Sequence, residues 1–454
     1  MSEKLSCFKA YDIRGRVPED LNEDLAYSLG RAYAVEVRPD GPVAVGRDVR
    51  QTSQDLATAL IRGLNDGGVD TRDIGLCGTE MVYFAAGRPG MGGGIMVTAS
   101  HNPMQYNGFK LVRADAVPIS GDSGLKDLEE RVRTQNLGDK AAKSGTNKTE
   151  DIAEHYTQKV ISFVDVSALK PLRIVVNAGN GCAGPFLDRI ADHLPFEFIR
   201  VNHEPDGTFP NGIPNPLLEE NQPVTANAVR EHKADLGIAW DGDFDRCFFF
   251  DETGAFADGY YIVGLLAKRV LKDYPGAKII HDPRMTWNTI ATVKEAGGTP
   301  VQWKTGHAFM KEKMRKENAA YGGEMSAHHY FRDFTYCDSG MIPWLLIAAL
   351  MCENGKPLSQ MVAEGRQRFP GSGEINTEVE NPDRVIETIR KTYADAATRQ
   401  EEVDGLSMEF GDRWRFNVRK SQTEPILRLN IETAADPQLL EEKTRELVNL
   451  VRTS

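Results

Sequence analysis

Short apolar runs alternate with longer amphipathic stretches along most of the chain. "GPVAVGRD" (41–48) has the composition of a strand that ends in a polar turn. "QDLATALIRGLNDGG" (54–68) sets Leu56, Leu60 and Leu64 at helical spacing and stops at glycines, which predicts a helix. Further strands are predicted in "GGGIMVTAS" (92–100), "LRIVVNAGNGCAG" (172–184) and "AKIIHDPR" (277–284), each followed by polar or Gly-rich residues. "ADLGIAWDGDFDRCFFFDETG" (234–254) predicts two strands across an acidic loop. Strand, polar turn and helix in repetition predict α/β architecture with parallel sheets. In such sheets ligands gather at the carboxyl ends of strands, where the polar residues of interest sit. The longest apolar run, "MIPWLLIAALM" (341–351), falls short of the roughly 18–20 residues of a membrane span and predicts a buried helix.

Polar stretches poor in apolar residues mark candidate boundaries. "NLGDKAAKSGTNKTED" (136–151) reads as a linker, a second boundary follows Asp251, and a third lies near "FPGSGEINTEVENPD" (369–383). From 384 onward the pattern is helix, strands, helix, a smaller α+β unit. No short-period repeat or low-complexity tract interrupts this organisation.

Composition narrows the function classes. The 454 residues are 41% hydrophobic and 26% charged, ordinary for a soluble globular chain of about three domains by length. A net charge of −12 argues against a general binder of nucleic acid or anionic membranes. An anionic substrate would need local Arg and Lys. The N-terminal "MSEKLSCFKAYDIRG" has no apolar signal-peptide core, so a cytoplasmic location is expected. The six cysteines are far apart with no C-x-x-C pair, which predicts free buried thiols. The "NKT" sequon at Asn147 carries no meaning without secretion.

"DGDFDR" places Asp241, Asp243 and Asp245 at alternate positions. An isolated D-x-D-x-D fits a solvated acidic turn equally well. An EF-hand is excluded, because Arg246 falls at the sixth loop position, where glycine is required, and the flanks read as strands. Each like-charge pair costs about 1 kcal/mol at ~4 Å in water and roughly 4 at an effective dielectric near 20. In a cleft such a triad needs a cation, and all-oxygen ligands favour Mg²⁺ or Ca²⁺ over zinc.

Other clusters are weaker alone. "YGGEMSAHHYF" (321–331) offers Glu324, Ser326 and His328, suited to sugar hydroxyls or to a helix N-cap. "NVRKSQTEPILRLNIE" (417–432) offers Arg419, Lys420, Ser421 and Thr423, a phosphate cradle or a hairpin turn with surface charge. "KAYDIRG" supplies Tyr11 and Arg14, and "HDPR" supplies Arg284. "KTGHAFMK" supplies His307 and Lys311, either of which fits a satisfied surface group. "MVTASHNPMQYNGFK" (96–110) ends a strand in Ser100, His101, Asn102 and Pro103, with neither a G-x-S-x-G elbow nor an Asp-led triad.

"KAYDIRG", "TASHNP", "DGDFDR", "GEMSAHHYF" and "RKSQTEP" occur in the order found in α-D-phosphohexomutases. The resemblance spans essentially the whole chain and is strongest to the bacterial phosphomannomutase branch. It implies a heart-shaped, four-domain α/β architecture, with three similar mixed α/β domains and a C-terminal α+β domain shaped like the TATA-binding protein fold. The expected domains are 1–147, 148–251, 252–367 and 368–454.

The resemblance also implies roles. Ser100 would be the phosphoserine. Asp241, Asp243 and Asp245 would hold Mg²⁺ together with the Ser100 phosphate. His101 and Lys110 would assist proton transfer. Tyr11, Arg14, Arg246, Arg284 and His307 would line the site, with Arg246 supplying positive charge. Glu324, Ser326 and His328 would bind sugar hydroxyls, and Arg419, Ser421, Gln422 and Thr423 the phosphate that does not react. The family usually has Asn where this chain has Gln422, which puts that donor's position in doubt.

The implied reaction converts mannose 6-phosphate and mannose 1-phosphate through phosphoserine and a hexose 1,6-bisphosphate that also serves as activator, feeding GDP-mannose. The alternatives are a phosphoglucomutase or a dual-specificity enzyme, a phosphatase using Ser100, and a non-catalytic sugar-phosphate binder. Partners would be hexose phosphates, with the chain a monomer or weak homodimer.

Overall fold

The computed structural model describes residues 5–421 and 426–453. The chain divides into two compact units, one of residues 1–256, 306–315 and 328–355, the other of 257–305, 316–327 and 356–454.

The first unit opens with a six-stranded sheet of β1 (Ile13–Arg16), β2 (Val43–Arg47), β3 (Thr71–Leu76), β4 (Gly93–Val97), β5 (Tyr106–Arg113) and β6 (Asn147–Thr149), in the order β1–β5–β4–β2–β3–β6. The strands β4, β2, β3 and β6 run parallel, and β5 pairs antiparallel with both β4 and β1. Val43, Val45, Ile95 and Val97 bury into a core with Leu56, Leu60 and Leu64 of the helix Ser53–Asp66. The expected spacing of that helix thus sets its buried face. A second sheet joins β7 (Arg173–Asn177), β8 (Glu197–Val201), β9 (Leu236–Trp240) and β10 (Cys247–Phe250), with β9, β7 and β8 parallel and β10 antiparallel to β9. Every residue of β9 and β10 is buried, which is why both read as unbroken apolar runs. The chain leaves through β11 (Phe256–Ala257).

In the second unit β12 (Lys278–His281), β13 (Thr299–Gln302) and β14 (Tyr321–Gly323) are parallel, in the order β13–β12–β14. The chain returns to the first unit for the antiparallel pair β15 (His329–Phe331) and β16 (Cys337–Asp338) and for the helix Met341–Asn354. That helix is buried from Met341 through Cys352, as its unbroken apolar run predicts. Back in the second unit, β17 (Ile375–Glu378), β18 (Arg399–Glu401), β19 (Leu406–Phe410), β20 (Trp414–Lys420) and β21 (Ile426–Thr433) form an antiparallel sheet ordered β17–β21–β20–β19–β18. Helices Pro382–Tyr393 and Pro437–Thr453 bury Val385, Ile389, Leu447 and Val451 in its core with Phe416, Val418 and Ile431.

Three details differ from the sequence reading. The hydrophobic pattern alone predicts parallel sheets, but those of the first unit are mixed, as the resemblance implies, because β4–β5 and β9–β10 are joined by loops too short for a crossover helix. Those two loops are 98–105 and 241–246, the segments that carry the chemistry. The linker 136–151 contains β6, whose "NKT" is wholly exposed and has no apolar signal. Asn147 accepts a hydrogen bond there from Thr71 Oγ1 (2.9 Å). The boundary segment 369–383 contains the edge strand β17, whose single apolar residue hides the alternation. All six cysteines are free and buried. Among the described residues no helix is long and apolar enough to cross a membrane.

Candidate active site

Ser100 sits two residues beyond the end of β4, in the left-handed backbone region at φ 50°. The loop around it is shaped by Arg50, a buried side chain beyond β2. Its Nη2 donates to the carbonyls of Ser100 (2.9 Å) and Asn102 (2.6 Å), and its Nη1 to those of Pro103 and Tyr106 (both 2.9 Å). One guanidinium therefore templates the loop from 100 to 106. The Ser100 N–H donates to Thr98 Oγ1 (2.9 Å), which fixes the residue from the other side.

The acidic loop meets Ser100 directly. Ser100 Oγ donates to Asp241 Oδ2 at 2.6 Å. Gly242 is required by this approach, since a Cβ there would lie 2.7 Å from the Ser100 carbonyl oxygen. Asp241, Asp243 and Asp245 are at most 1% exposed, so their repulsion is not relieved by water. Arg246 pairs with Asp241 Oδ2 through Nη2 (2.8 Å) and Nε (2.9 Å). Lys110 Nζ, from β5, donates to Asp243 Oδ2 (2.7 Å) and Asp245 Oδ2 (2.6 Å). Thr79 Oγ1 also donates to Asp243 Oδ2.

The electrostatics separate these groups. Burial pushes the Asp243 carboxyl up, but Lys110, Thr79 and Arg14 outweigh it and hold Asp243 below the usual range. Burial and the neighbouring Asp243 push Asp245 above it. Burial pulls the Lys110 ammonium down, yet Asp243 and Asp245 more than compensate, so Lys110 stays protonated. Burial, then Arg246 and Arg14, keep His101 well below its ordinary value and hence neutral. His101 Nδ1 lies against Arg246 Nη2, which can only donate, so that nitrogen accepts. It also lies 3.1 Å from Ser100 Oγ, whose hydroxyl donates its hydrogen bond to Asp241.

This cluster fits a hard cation. Asp243 Oδ1 and Asp245 Oδ1 are buried with no hydrogen-bond partner among the described residues. Ligand atoms of the three aspartates lie within 4.8 Å of one another. Buried carboxylate oxygens left unpaired are costly unless a cation takes them.

Further candidates gather nearby in the same unit. His307 and Lys311, open to a surface reading from sequence, are both buried on the helix His307–Glu317. Tyr11 packs its ring edge-on against His307 at 4.9 Å between centroids. Arg14 Nε pairs with Asp12 Oδ2 (2.7 Å), and its Nη1 donates to Asn102 Oδ1 (2.5 Å). Backbone pairing of Arg246 with His328 brings the acidic loop beside the histidine. His328 Nδ1 lies 2.8 Å from Asp338 Oδ2 and 4.0 Å from Asp245 Oδ1.

The second unit assembles a cationic cluster. Arg284 follows β12, and its Nη2 pairs with Asp282 Oδ2 (2.7 Å) and donates to Ser326 Oγ (3.3 Å). Arg284 Nη1 (3.5 Å), Arg419 Nη2 (3.4 Å) and Arg428 Nη1 (3.2 Å) all reach the carboxylate of Glu374. Burial raises the Glu374 carboxyl, but the three arginines overcome this and hold it below its ordinary value. Glu324 is buried in the turn after β14, and its carbonyl accepts from the Ala327 N–H (3.0 Å). The segment 324–328 joins two strands, so the N-cap alternative does not apply. The Ser421 N–H donates to the Ile426 carbonyl (2.8 Å) across the β20–β21 hairpin. Gln422 and Thr423 lie outside the described residues.

Sequence reasoning missed Arg50, Thr79, Asp338, Glu374 and Arg428. Asp338 and Thr79 stand in no recognisable motif, and Glu374 lies in the segment read as a boundary. Arg428 alternates with buried Leu427 and Leu429 on β21 and resembles an ordinary outward-facing strand residue. A charged residue just past a predicted strand end was the one usable signal for Arg50.

Four family signatures match in order. They are Phosphoglucomutase/phosphomannomutase, alpha/beta/alpha domain I over residues 6–138, domain II over 154–254, domain III over 258–369, and the C-terminal domain over 374–449. The chain is 57% identical over 452 residues to a protein of Xanthomonas campestris pv. campestris named "Phosphohexose mutases", covering 99% of both. It is 55% identical over 458 residues to the phosphomannomutase of Salmonella montevideo, again covering 99% of both. Among solved structures, a phosphoglucomutase/phosphomannomutase family protein from Burkholderia thailandensis superposes with a TM-score of 0.87 at 33% identity, over 100% of this chain and 98% of the other.

Proposed function

Because the chain belongs to the phosphoglucomutase/phosphomannomutase family, we propose that it is a phosphohexomutase converting mannose 6-phosphate to mannose 1-phosphate and back. The observation that carries the reading is the Ser100 hydroxyl, 2.6 Å from the first of three buried aspartates, two of which keep an unpartnered oxygen. A serine so placed can carry a phosphoryl group rather than an acyl group. The imidazole beside it, His101, has its Nδ1 engaged by Arg246 instead of free to take the serine proton, and the adjacent aspartates suit a cation that would neutralise phosphate charge.

In this reading phospho-Ser100 gives its phosphoryl group to the free sugar hydroxyl. The Ser100 O–P bond breaks, a new O–P bond forms on the sugar, and the sugar hydroxyl proton leaves to a base. The resulting hexose 1,6-bisphosphate turns over, and Ser100 takes the other phosphate in the reverse sense. Asp241, Asp243 and Asp245 would hold a divalent cation, Mg²⁺ by their hard oxygen donors, which when bound would neutralise charge on the Ser100 phosphate.

Lys110, kept protonated between two aspartates, serves as a positive charge and proton donor. His101, its Nδ1 engaged by Arg246, positions that arginine beside Asp241 and does not act as a base. Arg284, Arg419, Ser421, Gln422 and Thr423 would hold the phosphate that is not being transferred. Glu324, Ser326 and His328 would read the sugar hydroxyls, and Tyr11, Arg14 and His307 would complete the lining. The domains of this enzyme would be 1–147, 148–251, 252–367 and 368–454, and its setting the cytoplasm, upstream of GDP-mannose.

The test is turnover of mannose 1-phosphate and glucose 1-phosphate in parallel, primed with a hexose 1,6-bisphosphate. The reading expects 6-phosphate to form from mannose 1-phosphate without net phosphate release. Equal turnover of both sugars would make the enzyme dual-specific. Rapid release of inorganic phosphate would make it a phosphatase and overturn the proposal.

A further inference from the structure

The three aspartates of the acidic loop each have one oxygen already tied to the protein. Asp241 Oδ2 accepts from Ser100 Oγ (2.6 Å) and Arg246 Nε (2.9 Å), while its Oδ1 accepts only a longer bond from the Arg246 N–H (3.3 Å). Asp245 Oδ2 accepts from Lys110 Nζ (2.6 Å). Asp243 Oδ2 accepts twice, from Lys110 Nζ (2.7 Å) and from Thr79 Oγ1. On Asp243 and Asp245 the remaining oxygen, Oδ1, is buried with no hydrogen-bond partner among the described residues.

Thr79 is the one neutral side chain in this set. It opens the helix Thr79–Ala86 and is fully buried. Lys110 Nζ lies 3.3 Å from Thr79 Oγ1, and an ammonium only donates. The threonine oxygen therefore accepts from Lys110 and gives its own hydrogen to Asp243 Oδ2. The backbone is fixed too. The Thr79 N–H donates to the Asp243 carbonyl (3.0 Å), and Gly78 lies so near the Phe244 ring that a Cβ would come within 2.3 Å. Glu80, the next residue, accepts from Ser339 Oγ (2.8 Å) and from the Gly340 N–H, which ties it to the start of the helix Met341–Asn354. A short, branched side chain thus faces Asp243 from a rigid support.

Ion size gives this arrangement a consequence. Mg²⁺ requires near-octahedral geometry and takes single oxygens, whereas the larger Ca²⁺ takes six to eight oxygens and readily accepts both from one carboxylate. A carboxylate with one oxygen already engaged offers only the other. Released from that bond, it can turn and offer both. We propose that Thr79 is a positioning residue that keeps Asp243 a one-oxygen ligand and thereby makes the site select Mg²⁺ over Ca²⁺. This rests on the assignment of the acidic loop as a cation site. Partners of metal ligands orient them, and losing one typically weakens metal binding about 10- to 100-fold.

The experiment reads binding and needs no turnover. Mn²⁺ is titrated into full-length, unphosphorylated protein, followed by electron paramagnetic resonance, and then displaced by Mg²⁺ or by Ca²⁺. The wild type should release Mn²⁺ to Mg²⁺ at lower concentration than to Ca²⁺. Thr79→Val keeps the branched shape and removes the hydroxyl. Its Kd for Mg²⁺ should rise at least about 10-fold while its Kd for Ca²⁺ moves less than about threefold, so the preference for Mg²⁺ falls. Thr79→Ser keeps the hydroxyl and should keep the wild-type preference.

A merely structural role for Thr79 would weaken both ions together. Parallel weakening in Thr79→Val, an unchanged preference there, or an equal loss in Thr79→Ser would each overturn the inference, as would a wild type that prefers Ca²⁺. Should Thr79→Val not fold, Thr79→Cys replaces it, because a thiol is only a weak donor. The same shift is then expected, and its absence counts against Thr79. A wild type that binds no Mn²⁺ overturns the cation assignment and the inference with it. Bound Mn²⁺ with an unaltered preference in the variant overturns the inference alone. No sugar phosphate is present, so a failure of the mutase reading shows in the turnover assay and leaves this result standing.

Discussion

The acidic loop of the first unit and the arginine cluster of the second are charge opposites. Around Ser100, three buried aspartates face Lys110 and Arg246, so anions outnumber cations. Around Glu374, three arginines share that carboxylate, and Asp282 and Asp404 pair with Arg284 and Arg419, so each arginine has an anionic partner. In low dielectric an uncompensated charge is expensive. The first cluster is therefore one positive charge short, a deficit that a cation would fill, whereas the second is matched and would have to share its arginines with an incoming phosphate. A cluster made only for stability would be balanced, because removing one partner of a buried pair costs several kcal/mol.

The contrast can be broken at its most sensitive point with Ser100→Ala. Mutase turnover should fall by at least about four orders of magnitude, and intact mass should show no phosphorylated species. Retained turnover with unmodified protein would remove Ser100 from the mechanism. Next in size is the cation. Excess chelator should stop turnover and added Mg²⁺ restore it, and Asp243→Asn should cost about 10²- to 10³-fold in kcat. Full activity in chelator would sink the assignment of the acidic loop.

On the cationic side, Arg419→Met removes one charged donor. KM for the sugar phosphate should rise roughly 10- to 100-fold with a smaller change in kcat. A selective loss of kcat would place Arg419 at the reacting phosphate instead. The smallest effect sharpens the comparison most. Glu374→Gln leaves the arginines with a cationic excess, so KM should fall about threefold while Tm drops by several degrees as they lose their common partner. A rise in KM would mean that Glu374 orients the arginines rather than competing with phosphate.

Much of this was legible in the chain. Strands such as "LGIAW" and "CFFF" are buried on every residue, so their boundaries are printed in hydrophobicity alone. Ser100, Asp241, Asp243 and Asp245 lie in compact motifs at strand ends, where chemistry and periodicity coincide. Arg50 and Asp338 were invisible for a different reason. Their partners lie at 100–106 and at 311 and 328, so their roles exist only after the strands have been paired. The short edge strands β6 and β17 escaped because an exposed edge needs no apolar alternation.

The first unit is not a continuous stretch of chain. It takes residues up to 256, then 306–315, then 328–355. During synthesis Ser100 and the acidic loop emerge well before Lys311, His328 and Asp338 exist. At about 5–20 residues per second, the last of these appears some 5–20 s after the acidic loop. For that interval a nascent chain carries Ser100 and the aspartates without the histidine and carboxylate that complete their surroundings. Ribosome-bound chains cut off after residue 256 should thus present Ser100 in an unfinished unit, and completion of the active centre becomes a late event in folding.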